Sequence, residues 1–167
     1  MGESRIGAAG LASTAVSSYL VERRTVVDAP ADRVHPLVAD LHAWRGWSPW
    51  EGLDPDLHRE YSGPERGLGA RYSWSGNRRA GRGTMEVVGD AADQVDVAVT
   101  FEKPFRSTAT STFLFVPADG ARTEVVWRMT GEQRGIAALL GRVVPMDRIL
   151  GGDLEKGLTR LGVAARP

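Results

Sequence analysis

The chain has 167 residues, 21 basic and 21 acidic side chains, and no cysteine. That length suits one domain, which at this size buries roughly 70% of the surface of its unfolded chain and needs no covalent staple. Disulfides, thiolate metal sites and thiol nucleophiles are excluded, the charge balance speaks against a nucleic-acid partner, and no stretch reaches the ~18 apolar residues of a membrane span.

Residues 1–18 read as a flexible N-terminal leader: the run from Ile6 to Val16 is rich in Ala, Gly, Ser and Thr and lacks the apolar centre of a secretory signal. The absence of cysteine fits a reducing cytoplasm, where the protein is expected to reside. Tyr19–Asp28 is rich in β-branched residues and predicts a strand, broken by Ala29-Pro30. Asp32 is placed to cap a helix, and Val34, Leu37, Val38 and Leu41 recur at helical spacing, so a helix with one apolar face is expected over Ala31–Leu41. Pro36 falls in its first turns, where a missing N–H costs least. Trp44–Trp50 contains Gly46 and Pro49 and predicts a short helical turn followed by a bend.

From Leu57 the pattern changes to period two. Strands are expected at Leu57–Ser62, Ala70–Ser75, Gly83–Gly89, Gln94–Phe101, Ser107–Val116 and Thr123–Met129, separated by short turn signals such as Gly89-Asp90, Lys103-Pro104 and Asp119-Gly120. This is the rhythm of an antiparallel meander. Alternation puts Tyr72 and Trp74, Met85 and Val87, Val95 to Phe101, Phe113 and Phe115, and Val125 to Met129 on one apolar face, which another element must cover. The cover is C-terminal. Ile136–Val144 is helical in composition, Pro145 interrupts it, and Leu150, Leu154, Leu158 and Leu161 form a stripe at helical spacing. Gly151, Gly152 and Gly157 each cost a helix about 1 kcal/mol against Ala. They mark either a helix boundary or places where small residues leave room between helix and sheet.

Aromatic residues are the main functional candidates. Trp47, Trp50, Tyr72, Trp74, Met85, Phe101, Phe113 and Trp127 are expected to line or border a cavity, where an indole N–H can anchor the polar end of a ligand; the alternative for each is core packing. Glu51 follows the tryptophan cluster directly, and a carboxylate beside apolar rings suits general acid or base work; an exposed loop glutamate is the alternative. His58 at a strand start and Arg71 are further candidates for handling protons, each with a surface role as its alternative. Arg66, Arg71, Arg78, Arg79 and Arg82 gather around one hairpin, forming either an anion-attracting rim or a solvated hairpin end. His35 and His42 lack the four-residue spacing of paired helical metal ligands, and no HExxH, GxSxG, Walker or complete dinucleotide motif is present, so neither metal nor cofactor is expected.

Several local pieces carry a resemblance: Asp28-Ala29-Pro30 followed by Val34 and Asp40, Trp47-Ser48-Pro49-Trp50-Glu51, Tyr61-Ser62-Gly63-Pro64, Gly67-Leu68-Gly69-Ala70, Tyr72-Ser73-Trp74-Ser75-Gly76 with Gly81-Arg82-Gly83, and Gly157-Leu158. In their order and spacing, residues 19–163 resemble small bacterial members of the START-like superfamily, also called SRPBCC or polyketide cyclase/dehydrase-like, with 164–167 left as a tail. The resemblance implies an α+β helix-grip fold. In that fold a curved antiparallel sheet wraps a long C-terminal helix, two short helices lie between the first and second strands, and a cavity separates sheet from helix. It brings no shared catalytic motif onto this chain. The expected function is binding of a hydrophobic small molecule, lipid-like or polyketide-like, by a monomer or homodimer without stable membrane insertion. The alternatives are a cyclase or dehydratase in which Glu51, His58 or Arg71 handles protons, and a protein-interaction module.

Overall fold

A computed structural model describes residues 16–134, 138 and 145–167. The elements are β1 (Val16–Val27), α1 (Ala31–Ala39), a 3-10 turn (Ala43–Gly46), β2 (His58–Ser62), β3 (Arg71–Ser75), β4 (Arg82–Ala91), β5 (Gln94–Lys103), β6 (Ser107–Ala118), β7 (Arg122–Arg134) and α2 (Met146–Ala164). The strands form one antiparallel sheet in the order β1-β7-β6-β5-β4-β3-β2, so β2 to β7 are a meander and β1 closes onto β7.

Strands β4 to β7 outrun their sequence signals because cross-strand bonds carry the ladder into the turns, whereas β2 and β3 each start one residue later than expected. Ala91 pairs with Gln94 across the β4–β5 hairpin, and Ala118 with Arg122 across β6–β7. At the N-terminus, Val16 pairs with Arg134, so β1 takes in residues 16–18 of the expected leader; the rest of that leader lies outside the described residues. A register shift between Val87 and Gly89 adds a residue to β4, turns Val88 outward and bends the strand, the local device by which a sheet curves.

Helix α1 is shorter than its apolar pattern suggests. It ends at Ala39, with the Asp40 N–H donating to the Pro36 carbonyl, and Leu41 is buried beyond the helix. Asp32 does not cap it. Pro30 occupies the cap position without a side-chain bond, and Asp32 stands in the first turn, where its charge suits the positive end of the helix. His35 and His42 therefore share no helical face. His35 Nε2 lies 2.8 Å from Asp90 and 3.0 Å from the Ala91 carbonyl, while His42 stacks on Tyr61 at 3.8 Å.

Helix α2 buries Leu154, Leu158 and Leu161 against the concave face of the sheet, in a core shared with Val21, Val27, Val34, Val38, Val97 and Phe115. Arg23 on β1 ties down its first turns, donating to Asp147 at 2.8 Å and Glu155 at 2.7 Å, and its guanidinium holds the Asp147 carboxyl below the usual range. The helix expected over Ile136–Val144 lies, Ala138 apart, outside the described residues. Among the described residues no helix is long and apolar enough to cross a membrane.

Candidate ligand cavity

Between the inner face of the sheet, the segment Leu41–Leu57 and the start of α2 lies a cavity of about 240 Å³. It is larger than the ~150 Å³ engineered cavity that holds benzene and smaller than the ~300–1,000 Å³ of sites for drug-sized ligands. The sheet contributes Tyr72, Trp74, Met85, Val99 and Phe101 to its wall. The covering segment contributes Trp44, Ser48, Trp50 and Glu51, and α2 contributes Leu150. Arg79, Lys103 and Pro104, all exposed, stand at its mouth.

Tyr72, Trp74, Met85 and Phe101 are thus brought together on the wall from the inner face of the sheet, and Trp50 joins them from the covering segment. Trp47, Phe113 and Trp127 are not. Each is fully buried, with 0% exposure, and they form an aromatic stack beneath the cavity. Phe113 lies on Trp127 with ring centroids 4.8 Å apart, and Trp47 meets both edge-on. The 3-10 turn presses on this part of the sheet and turns its inward face into core; the same face further along β3 to β5 stays uncovered and becomes cavity.

The indole N–H groups are not free to hold a ligand. Trp44 donates to the Val38 carbonyl, Trp47 to the Leu37 carbonyl, Trp50 to Asp153, Trp74 to the Ala80 carbonyl and Trp127 to Ser111 Oγ, at 2.9 to 3.3 Å. The tryptophans on the wall therefore offer ring faces alone, and the expectation that an indole anchors a polar group is corrected.

Polarity in the wall comes instead from Glu51, whose partner Arg59, not itself on the wall, the sequence does not announce. Arg59 Nη2 donates to Glu51 Oε2 at 2.6 Å, and both side chains are only 20% exposed. Arg59 Nε is buried and has no partner among the described residues. Tyr72 and Tyr61 sit beside this pair, their rings 5.1 Å apart. Burial, reinforced by the Glu51 charge, pushes the Tyr72 phenol up to about 12, so it stays a neutral hydrogen-bond donor at physiological pH. Arg59 alternates to the side of β2 that faces the covering segment, and Glu51 reaches it across the irregular loop Gly52–Leu57. No spacing rule links the two positions, which is why reading along the chain passes over Arg59.

The other candidates fall away from the cavity. His58 is exposed, with Nε2 2.9 Å from Glu60, and Arg71 is exposed and forked onto Glu86 at 3.0 and 3.4 Å. Both are held by the outward rows of β2 to β4, so neither can reach a proton inside. Of the arginines expected as a rim, Arg79 alone lines the cavity; Arg82 pairs with Glu102 at 2.7 Å. The helix glycines make no room for a ligand either. A Cβ on Gly157 would lie 2.6 Å from the Trp127 ring and 3.0 Å from Pro49, so the glycine admits the core aromatic. Gly151 sits against Arg23, and Gly152 faces open space. Among the described residues no three His, Asp or Glu side chains converge to hold a metal ion.

Sequence comparison matches residues 19–166 to a family described as polyketide cyclase / dehydrase and lipid transport. The chain belongs to that family. No protein with a curated description matches it. Among solved structures, norcoclaurine synthase from Thalictrum flavum is similar over 98% of this chain and 94% of its own, at 12% identity and a TM-score of 0.63. Protein SA2116 from Staphylococcus aureus, described as of unknown function, is similar over 90% and 94%, at 8% identity and a TM-score of 0.67. Ara h 8.0201 is similar over 89% and 95%, at 12% identity and a TM-score of 0.58. At these identities the likeness shows the fold, the helix-grip architecture that the Bet v 1-like proteins share. In this member of the polyketide cyclase / dehydrase family, family and fold are consistent with binding of hydrophobic ligands.

Proposed function

We propose that this chain binds a hydrophobic small molecule of roughly ten heavy atoms, scaled from the cavity that holds benzene, between its sheet and its C-terminal helix. The observation that carries the reading is the apolar, ring-lined chamber of about 240 Å³, whose indole N–H groups are already satisfied by protein. Each buried CH₂ contributes about 0.8 kcal/mol, so eight of them contribute about 6 kcal/mol before the cost of association. Native mass spectrometry of the purified protein, followed by solvent extraction, tests this. A co-purified apolar compound, rebinding to wild type and lost in Trp50→Ala/Trp74→Ala, is expected. An empty protein that binds no apolar probe, or rebinding untouched by the double substitution, overturns it.

One observation favours a second reading, an enzyme of the cyclase or dehydratase type: Glu51 and Tyr72 both face the chamber. Glu51 would take a proton from a bound chain and Tyr72 would donate a hydrogen bond to the oxygen that gains charge. Under this reading Glu51→Gln abolishes turnover of the extracted compound while binding persists. Turnover surviving in both Glu51→Gln and Tyr72→Phe sinks it. An interaction module with a filled interior is supported least, given the chamber.

A further inference from the structure

The mouth of the cavity is built by two hairpin ends that touch. Arg79 lies in the turn between β3 and β4, and Lys103 ends β5. Lys103 pairs in register with Arg82, and a side chain on Gly81 would run into the Lys103 carbonyl. Arg78 and Arg106 stand on the same two hairpin ends. The acidic residue nearest in register is already engaged: Glu102 holds Arg82 at 2.7 Å. Arg78, Arg79, Lys103 and Arg106 have no ion-pair partner within 4.0 Å among the described residues. Inside, Glu51 is the one acidic group on the wall among the described residues, and Arg59 neutralises it at 2.6 Å. An apolar chamber thus opens beside two exposed cations, Arg79 and Lys103, that have no ion-pair partner among the described residues; the nearest free carboxylate at this end, Asp54, accepts from the Asn77 N–H at 2.6 Å in the β3–β4 turn rather than pairing with either.

From this arrangement, and resting on the binding reading above, we infer that the ligand is an amphipathic anion. Its apolar body occupies the chamber and its carboxylate, or another oxyanion of similar size, sits at the mouth against Arg79 and Lys103. The position suits the chemistry: the head keeps part of its hydration, so it avoids the cost of burying a charge, and the two cations meet it with charge-assisted hydrogen bonds. Because both cations are exposed, each adds modestly, and together they give a preference of about tenfold that added salt weakens.

Three probes with one tail separate the terms: octanoate, 1-octanol and octylamine, titrated calorimetrically into the full-length protein at pH 8 and low ionic strength. Octanoate is expected to bind about tenfold more tightly than octanol, with protonated octylamine weakest, and the order is expected to compress in 0.5 M NaCl by screening. Arg79→Glu/Lys103→Glu is expected to reverse the order of octanoate and octylamine. These side chains are exposed, and circular dichroism checks that the fold is kept. If octanol binds and octanoate binds no more tightly, or if the preference survives Arg79→Gln/Lys103→Gln, the anion inference is overturned and the chamber stands. If none of the three binds, the binding reading falls with it.

Discussion

Replacing Gly157 with alanine is expected to weaken the protein even though alanine is the better helix former. The helix itself gains about 1 kcal/mol from the exchange. The new methyl, however, would lie 2.6 Å from the Trp127 ring and 3.0 Å from Pro49, where carbon atoms normally rest about 3.5–4.0 Å apart. Neither neighbour can retreat: Trp127 is fully buried, stacked on Phe113 and hydrogen-bonded to Ser111, and Pro49 is buried too. Overpacking of this kind costs about 1–3 kcal/mol, so the net effect is a loss of up to about 2 kcal/mol. Gly152 supplies the internal reference, because it is in the same helix and a Cβ there meets nothing within 4 Å. Gly152→Ala is expected to gain up to about 1 kcal/mol, which puts the two variants about 1–3 kcal/mol apart. Urea unfolding followed by tryptophan fluorescence measures both midpoints. A Gly157→Ala protein as stable as Gly152→Ala would refute the idea that α2 is seated directly on Trp127, and with it the account of where the closed end of the cavity lies.

Ser111→Ala leaves the buried Trp127 indole N–H without its acceptor and is expected to cost about 1–3 kcal/mol in urea unfolding; a loss below 0.5 kcal/mol, on the order of a surface change, would mean the bond at 3.2 Å contributes little. Val99→Phe puts bulk into the chamber wall and is expected to abolish octanol binding by calorimetry, whereas unchanged affinity would place the ligand elsewhere. Burial pushes the Tyr72 phenol from 10.0 to about 12, so the folded protein holds a proton that the unfolded chain has lost. Its contribution to stability is complete below pH 10.0 and is lost as pH rises toward 12; spectrophotometric titration of the tyrosines should show a last ionisation near 12 that Tyr72→Phe removes. A complete titration near pH 10.0 in the native protein would contradict this burial.

Much of the architecture is legible along the chain. Period-two alternation places Val95, Val97, Val99, Phe113 and Trp127 on the inner face, and the leucine stripe of α2 points at it, because side-chain direction in a strand or helix depends only on local geometry. What alternation cannot supply is the extent of the cover. Whether an inward residue becomes core, like Phe113 under Trp47, or cavity wall, like Trp74 and Phe101, depends on where the 3-10 turn and α2 come to rest over the sheet. That is set by long-range packing, including the bare Cα of Gly157 against Trp127. The same holds for polarity. Glu51 is conspicuous beside its tryptophans, but the arginine that neutralises it, the carbonyls and side chains that occupy the indoles, and the presence of both Arg79 and Lys103 at the cavity all join positions without a common period. Local sequence determines which way each side chain faces; only the folded chain decides what it faces, because charge pairing and cavity shape are properties of distances in space.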